Sequence, residues 1–142
     1  MLGYGNPGRR DDGLGPAAAE AIERRRFDGV RAKSAYQLMI DDAVDAAACE
    51  RMIFIDAATA ATEPFAAAPV EPAERTAAFA SHCVSPALVL GLCRRLYGRM
   101  PDATLIGIRG YDFGFDEGLT PQAQANLEAA IAFVCELIER PS

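Results

Sequence analysis

Two short apolar stretches, the continuous "MIFI" from Met52 to Ile55 and "ATLIGI" from Ala103 to Ile108, constrain this chain most. They are too short for helices, rich in isoleucine and not alternating, which is the pattern of strands covered on both faces of a parallel sheet. Helical patterns surround them. Leu14, Ala17, Ala18, Ala21 and Ile22 recur at helical spacing and predict a helix from about Gly13 to Arg26, closed by Phe27-Asp28-Gly29. Val30 to Ala35 reads as a short strand and Asp41 to Cys49 as a short helix. "MIFI" should end at Asp56. The alanine- and proline-rich stretch from Ala57 to Pro72 reads as a loop followed by an extended edge piece around Phe65 to Val70, because proline is excluded from central strands. Ser85-Pro86 opens another helix, with an apolar face of Leu88, Val89, Leu92, Leu96 and Tyr97 and a stop at Gly98. After the glycine-rich "RGYDFGFDEG", Thr120-Pro121 caps a last helix that runs to about Glu139. Strands alternating with helices predict an α/β sandwich with a mostly parallel twisted sheet.

Composition narrows the function classes. The 142 residues fit one domain, and 51% apolar with 24% charged residues is the balance of an ordinary globule. A net charge of -6 argues against a sequence-independent nucleic-acid binder; the basic run Arg24-Arg25-Arg26 suits the end of a helix, where cations oppose the macrodipole. Cys49, Cys83, Cys93 and Cys135 show no C-x-x-C spacing, and no apolar run is long enough to span a membrane. The expectation is a cytoplasmic protein with reduced thiols, not associated with membrane or nucleic acid.

The segment "GYGNPGRRDDGLG" joins the first strand to the first helix. Gly3-x-Gly5-x-x-Gly8 has the spacing of a dinucleotide fingerprint, in which backbone N–H groups and a helix N-terminus face a pyrophosphate. Asp11 and Asp12 would repel that pyrophosphate, and the second strand ends in Lys33-Ser34-Ala35 with no acid for a ribose. No dinucleotide cofactor is therefore expected, and Gly3, Gly5, Asn6, Gly13 and Gly15 read as loop-forming residues. One aspartate would suffice to cap the helix, whereas two adjacent ones repel each other unless a cation is near. Asp12 and Asp56 both lie at strand ends, where ligands gather in open α/β sheets, and His82, the one histidine, precedes a helix that can start on the same edge. Two carboxylates and an imidazole form a divalent-metal set suited to nickel, zinc or manganese with open positions left over. A nucleophilic Cys83 with His82 as base is the rival reading; it would draw the sole imidazole away from a metal.

In their order along the chain, Gly3-Tyr4-Gly5-Asn6, Asp11-Asp12-Gly13-Leu14-Gly15, "MIFIDAA", "SHCVSP", "LIGIRGYDFG" and "EGLTP" resemble the hydrogenase maturation proteases, endopeptidases that trim the C-terminus of the large subunit of [NiFe] hydrogenases. The resemblance covers nearly the whole chain. It implies one protease domain over residues 1–142 with a three-layer αβα sandwich, phosphorylase/hydrolase-like. It implies metal ligation by Asp12, Asp56 and His82, with catalysis by Asp12 and Asp56 and with Asp11 as a helper or as a group orienting Asp12. It also implies that the metal is the nickel already inserted in the large-subunit precursor, that the isolated enzyme holds no tight metal, and that an acidic monomer meets its precursor transiently. Two places depart from the family pattern. "SAYQLMIDD" stands where many members carry an aspartate-glycine-glycine loop and is similar to the branch serving NAD-reducing or bidirectional hydrogenases, and only Met1 and Leu2 precede the first glycine, which makes for a very short first strand. A non-catalytic, metal-sensing assembly chaperone would keep the same ligands without cleavage. A small ligand-binding module would not bring them together.

Overall fold

A computed structural model describes residues 1–73 and 84–141. Five strands, β1 (Leu2–Tyr4), β2 (Lys33–Ala35), β3 (Arg51–Ala58), β4 (Phe65–Pro69) and β5 (Asp102–Arg109), form one sheet in the order β2-β1-β3-β5-β4. All neighbouring pairs are parallel except β4 with β5. The helices are α1 (Leu14–Arg25), α2 (Asp42–Ala47), α3 (Pro86–Tyr97) and α4 (Pro121–Glu139), and a 3₁₀ turn, Arg10–Gly13, leads into α1.

Alternation of side chains along the central strands produces two cores. Leu2, Met52 and Phe54 point to one face and pack with Leu88, Val89, Leu90 and Cys93 of α3 and with Ala43 and Ala46 of α2. Ile55, Ile106 and Ile108 point to the other and pack with Leu14, Ala18 and Ile22 of α1 and Leu127 and Val134 of α4. Helices therefore cover both faces, giving the expected three layers.

The helix ends follow the side-chain chemistry at each boundary. Ser85 Oγ accepts the N–H of Leu88 at 3.1 Å and Thr120 Oγ1 that of Ala123 at 3.3 Å, each followed by a proline in the first turn. α1 ends at Arg25, and the next residue, Arg26, is left-handed at φ 52°. At Gly15 the first turn of α1 lies directly on the sheet: a Cβ there would collide with the carbonyl oxygens of Tyr4 on β1 and Ile55 on β3.

Four expectations are corrected. β2 is only Lys33–Ala35, because its partner β1 offers three residues to pair with, Leu2 to Tyr4. α2 is Asp42–Ala47, shorter at both ends than the expected helix. β3 continues past Ile55 to Ala58, since β5 pairs with it along its whole length, so Asp56 stands inside the ladder opposite Gly107. On α3, Leu96 and Tyr97 are 62% and 48% exposed; the apolar stripe is centred on Val89, Leu90 and Cys93, and the last turn goes uncovered. The edge piece is β4, and its outer position accommodates Pro69. No described helix is long and apolar enough to cross a membrane.

Candidate functional site

The chain leaves β1 through α1 toward β2 on one side and later returns through α2 to β3 on the other. The strand order thus reverses between β1 and β3, and the crevice beyond their carboxyl ends is where open α/β sheets hold ligands. Asp12 and Asp56 belong to this place.

Asp12 is carried by the β1–α1 loop. Gly5 adopts φ 146°, which a side chain would disfavour, and its N–H bonds the carbonyl of Ala35 at 3.0 Å, tying the loop to β2. Asn6 forms a local turn, its Oδ1 accepting the N–H of Gly8 at 2.9 Å, while its own N–H donates to Asp12 Oδ2 at 2.7 Å. The 3₁₀ turn carrying Asp12 packs on β3.

Asp56 shares a sheet face with Met52 and Phe54, and on β1 that face carries Tyr4. Its Oδ1 accepts the N–H of Ala57 at 2.8 Å. Burial pushes the Asp56 carboxyl up to about 6; the Ala57 N–H opposes the shift and the negative charge of Asp12 adds to it. Burial, followed by the charge of Asp56, also raises Tyr4 far above the ordinary phenol range. Asp12, Asp56 and Tyr4 therefore share one electrostatic neighbourhood. Two half-buried like charges within each other's field are unfavourable, whereas a cation between them would stabilise both.

Asp11, next to Asp12, is in a different environment. It is fully buried, and its carboxylate accepts the N–H groups of Tyr111, Asp112 and Thr120 and the hydroxyl of Thr120. Burial alone would raise its pKa, but those four bonds outweigh it and hold the carboxyl below its ordinary value. It makes no cap bond to the 3₁₀ turn or to α1.

His82 and Cys83, with the rest of the segment 74–83, lie outside the described residues. Among the described residues, no three His, Cys, Asp or Glu side chains are grouped to hold a metal; of the expected trio, Asp12 and Asp56 are near enough for the charge of one to act on the other. α3 begins at this edge: four residues link its C-terminal end to the amino end of β5, so its capped N-terminus lies at the carboxyl side. Two participants are not evident from the sequence. Tyr4 carries no signal beyond its place between two glycines, and Thr120 reads as a cap with no hint of its bond to Asp11.

No family model matches the sequence, and no curated protein does. Solved structures match along nearly the whole chain. The hydrogenase maturating endopeptidase HybD from E. coli is 26% identical, with a TM-score of 0.75 over 96% of this chain and 89% of that one. The solution structure of an endopeptidase from Escherichia coli is 28% identical, with a TM-score of 0.69 over 94% of this chain and 86% of that one. A hydrogenase 2 maturation peptidase from a Thaumarchaeota archaeon shares the fold at 24% identity and a TM-score of 0.71, over 96% and 95% of the two chains. The sheet order and these neighbours agree with the motifs in the sequence: the chain has the fold of the hydrogenase maturation proteases and resembles them in sequence.

Proposed function

We propose that this protein is an endopeptidase that removes the C-terminal extension from the nickel-loaded large-subunit precursor of a [NiFe] hydrogenase. The observation that carries the reading is the placement of Asp12 and Asp56, two carboxylates whose charges act on each other at the reversal of a sheet shared with hydrogenase maturation endopeptidases.

In this reading Asp12, Asp56 and His82 grip the nickel that arrives inside the precursor. Nickel is then part of the substrate, and an incomplete set of protein ligands leaves positions for the precursor's own. An empty precursor offers no metal to anchor, so nickel loading becomes the signal that licenses the cut. Water attacks the scissile carbonyl beside the metal, and a carboxylate of the pair takes its proton. The protein acts as a monomer in the cytoplasm, meeting its precursor transiently.

The test is incubation of the protein with nickel-loaded and nickel-free precursor, followed by mass spectrometry of the precursor's C-terminus. Loss of a C-terminal peptide from the loaded form alone is the expected result. Binding without any change in mass would instead assign the chain to a non-catalytic assembly role.

A further inference from the structure

We propose that Asp11 and Thr120 form a positioning pair that fixes Asp12 from behind, linking the threshold of α4 to the loop after β1. The inference rests on the cleavage reading above for its kinetic readout, and on geometry alone for a second one.

A fully buried carboxylate that accepts four hydrogen bonds is a structural commitment, because an ionised acid has no donor and must find donors around all its lone pairs. Asp11 finds them 100 to 109 residues away. Thr120 N donates to Oδ1 at 2.8 Å; Tyr111 N at 2.8 Å, Asp112 N at 3.1 Å and Thr120 Oγ1 at 2.8 Å donate to Oδ2. The backbone repeats the link: Asp11 N bonds Asp112 O at 2.9 Å and Arg10 N bonds Asp116 O at 2.8 Å. Arg10, left-handed at φ 46°, is held by ion pairs to Asp112 at 3.4 Å and Asp116 at 3.7 Å.

Successive side chains in a 3₁₀ turn point about 120° apart. With Asp11 locked inward, Asp12 is turned toward the crevice, where its Oδ2 accepts the N–H of Asn6. Thr120 uses one oxygen twice, accepting the N–H of Ala123 as the cap of α4 and donating its proton to Asp11. The helix that supplies Ala123, Leu127, Ala130 and Val134 to one core thereby sets the place of a proposed metal ligand. Neither Asp11 nor Thr120 touches the reacting atoms in this arrangement.

The test compares Asp11→Asn, Thr120→Val and Thr120→Ser with Leu127→Ala, a buried α4 residue that loses stability without touching the pair. Cleavage of nickel-loaded precursor is assayed well below each variant's Tm, and amide hydrogen exchange is followed at Asn6. Asp11→Asn and Thr120→Val should lower kcat by about 10–100-fold, the usual effect of losing a partner that orients a ligand, with KM unchanged. Thr120→Ser should restore kcat. Exchange at the Asn6 N–H should speed up in Asp11→Asn and Thr120→Val and stay at the wild-type rate in Leu127→Ala. A Thr120→Val protein with wild-type kcat, or a Leu127→Ala protein that shows the same kcat loss, overturns the proposal. If the wild type cleaves nothing, the cleavage reading fails while the exchange result still decides the positioning pair: unaltered Asn6 exchange in Asp11→Asn and Thr120→Val overturns it.

Discussion

The two edges of the sheet treat charge in opposite ways. At the amino ends of the strands lies a cleft of about 880 Å³, lined by residues that include Met1, Ile22, Arg31, Arg51, Leu137 and Ile138. Its charged groups hold chain ends together. The Arg51 guanidinium donates to the carbonyls of Leu137 and Ile138 at 2.8 and 3.2 Å, in the last turn of α4, where the helix dipole is negative. The terminal amine of Met1 donates to Arg31 O at 2.8 Å. At the carboxyl ends two carboxylates sit half-buried within each other's field, and Asp56 is pushed up to about 6. One edge is arranged for stability and the other accepts an electrostatic cost. A hollow alone would direct attention to the amino edge, whereas unfavourable placement of charge directs it to the carboxyl edge.

The largest expected effect tests how tightly the carboxyl edge is built. Gly15→Ala drives a methyl group into Tyr4 O and Ile55 O, which belong to two paired strands and cannot yield separately. We expect a loss of about 3 kcal/mol or more, read by urea unfolding. Wild-type stability in this variant would mean that α1 does not lie so close to the sheet.

Asp11→Asn comes next. The amide puts a donor against N–H groups and removes a buried charge held by four bonds, so we expect a loss of about 2–3 kcal/mol at pH 7. The sign with pH follows from its lowered pKa: the contribution of Asp11 is complete above the ordinary carboxylate value of 3.8 and is lost as pH falls through the lower folded value. The gap between wild type and Asp11→Asn should therefore narrow only in strong acid.

Asp56→Asn should act in the opposite direction. Between the ordinary value of 3.8 and about 6, the folded protein keeps a proton that the unfolded chain has released, so stability falls as pH rises through that window. Replacing the acid removes this penalty. The isolated variant should gain on the order of 1–2 kcal/mol at pH 8, after allowance for solvent screening, and the gain should vanish near pH 4. A variant less stable than wild type at pH 8 would contradict the electrostatic account of this edge.

Arg51→Ala should do least. The residue is exposed and its two bonds are to solvent-accessible carbonyls, so a loss below about 1 kcal/mol is expected in thermal unfolding.

Much of the frame was legible in the residues, for physical reasons that differ by element. "MIFI" and "ATLIGI" are legible because a strand covered on both faces needs no alternation, and α3 and α4 because Ser85-Pro86 and Thr120-Pro121 satisfy orphan N–H groups locally. Lengths set by a partner were not: β2 is cut short by β1, and β3 is prolonged by β5. The acid pair was legible as a motif, but the division of labour between Asp11 and Asp12 was not. Two identical neighbours are told apart by their partners: Asp12 accepts the N–H of Asn6, whereas Asp11 accepts those of Tyr111, Asp112 and Thr120, and backbone donors carry no side-chain signature.

The most direct test of the carboxyl edge as the seat of chemistry is the cleavage rate of nickel-loaded precursor by Asp12→Asn and Asp56→Asn, each confirmed folded, beside Arg51→Ala. The account predicts a fall of about 10³-fold in both acid variants, as expected for losing a proton acceptor, with Arg51→Ala cutting at the wild-type rate. Wild-type cleavage by either acid variant, or loss of cleavage in Arg51→Ala alone, would contradict it.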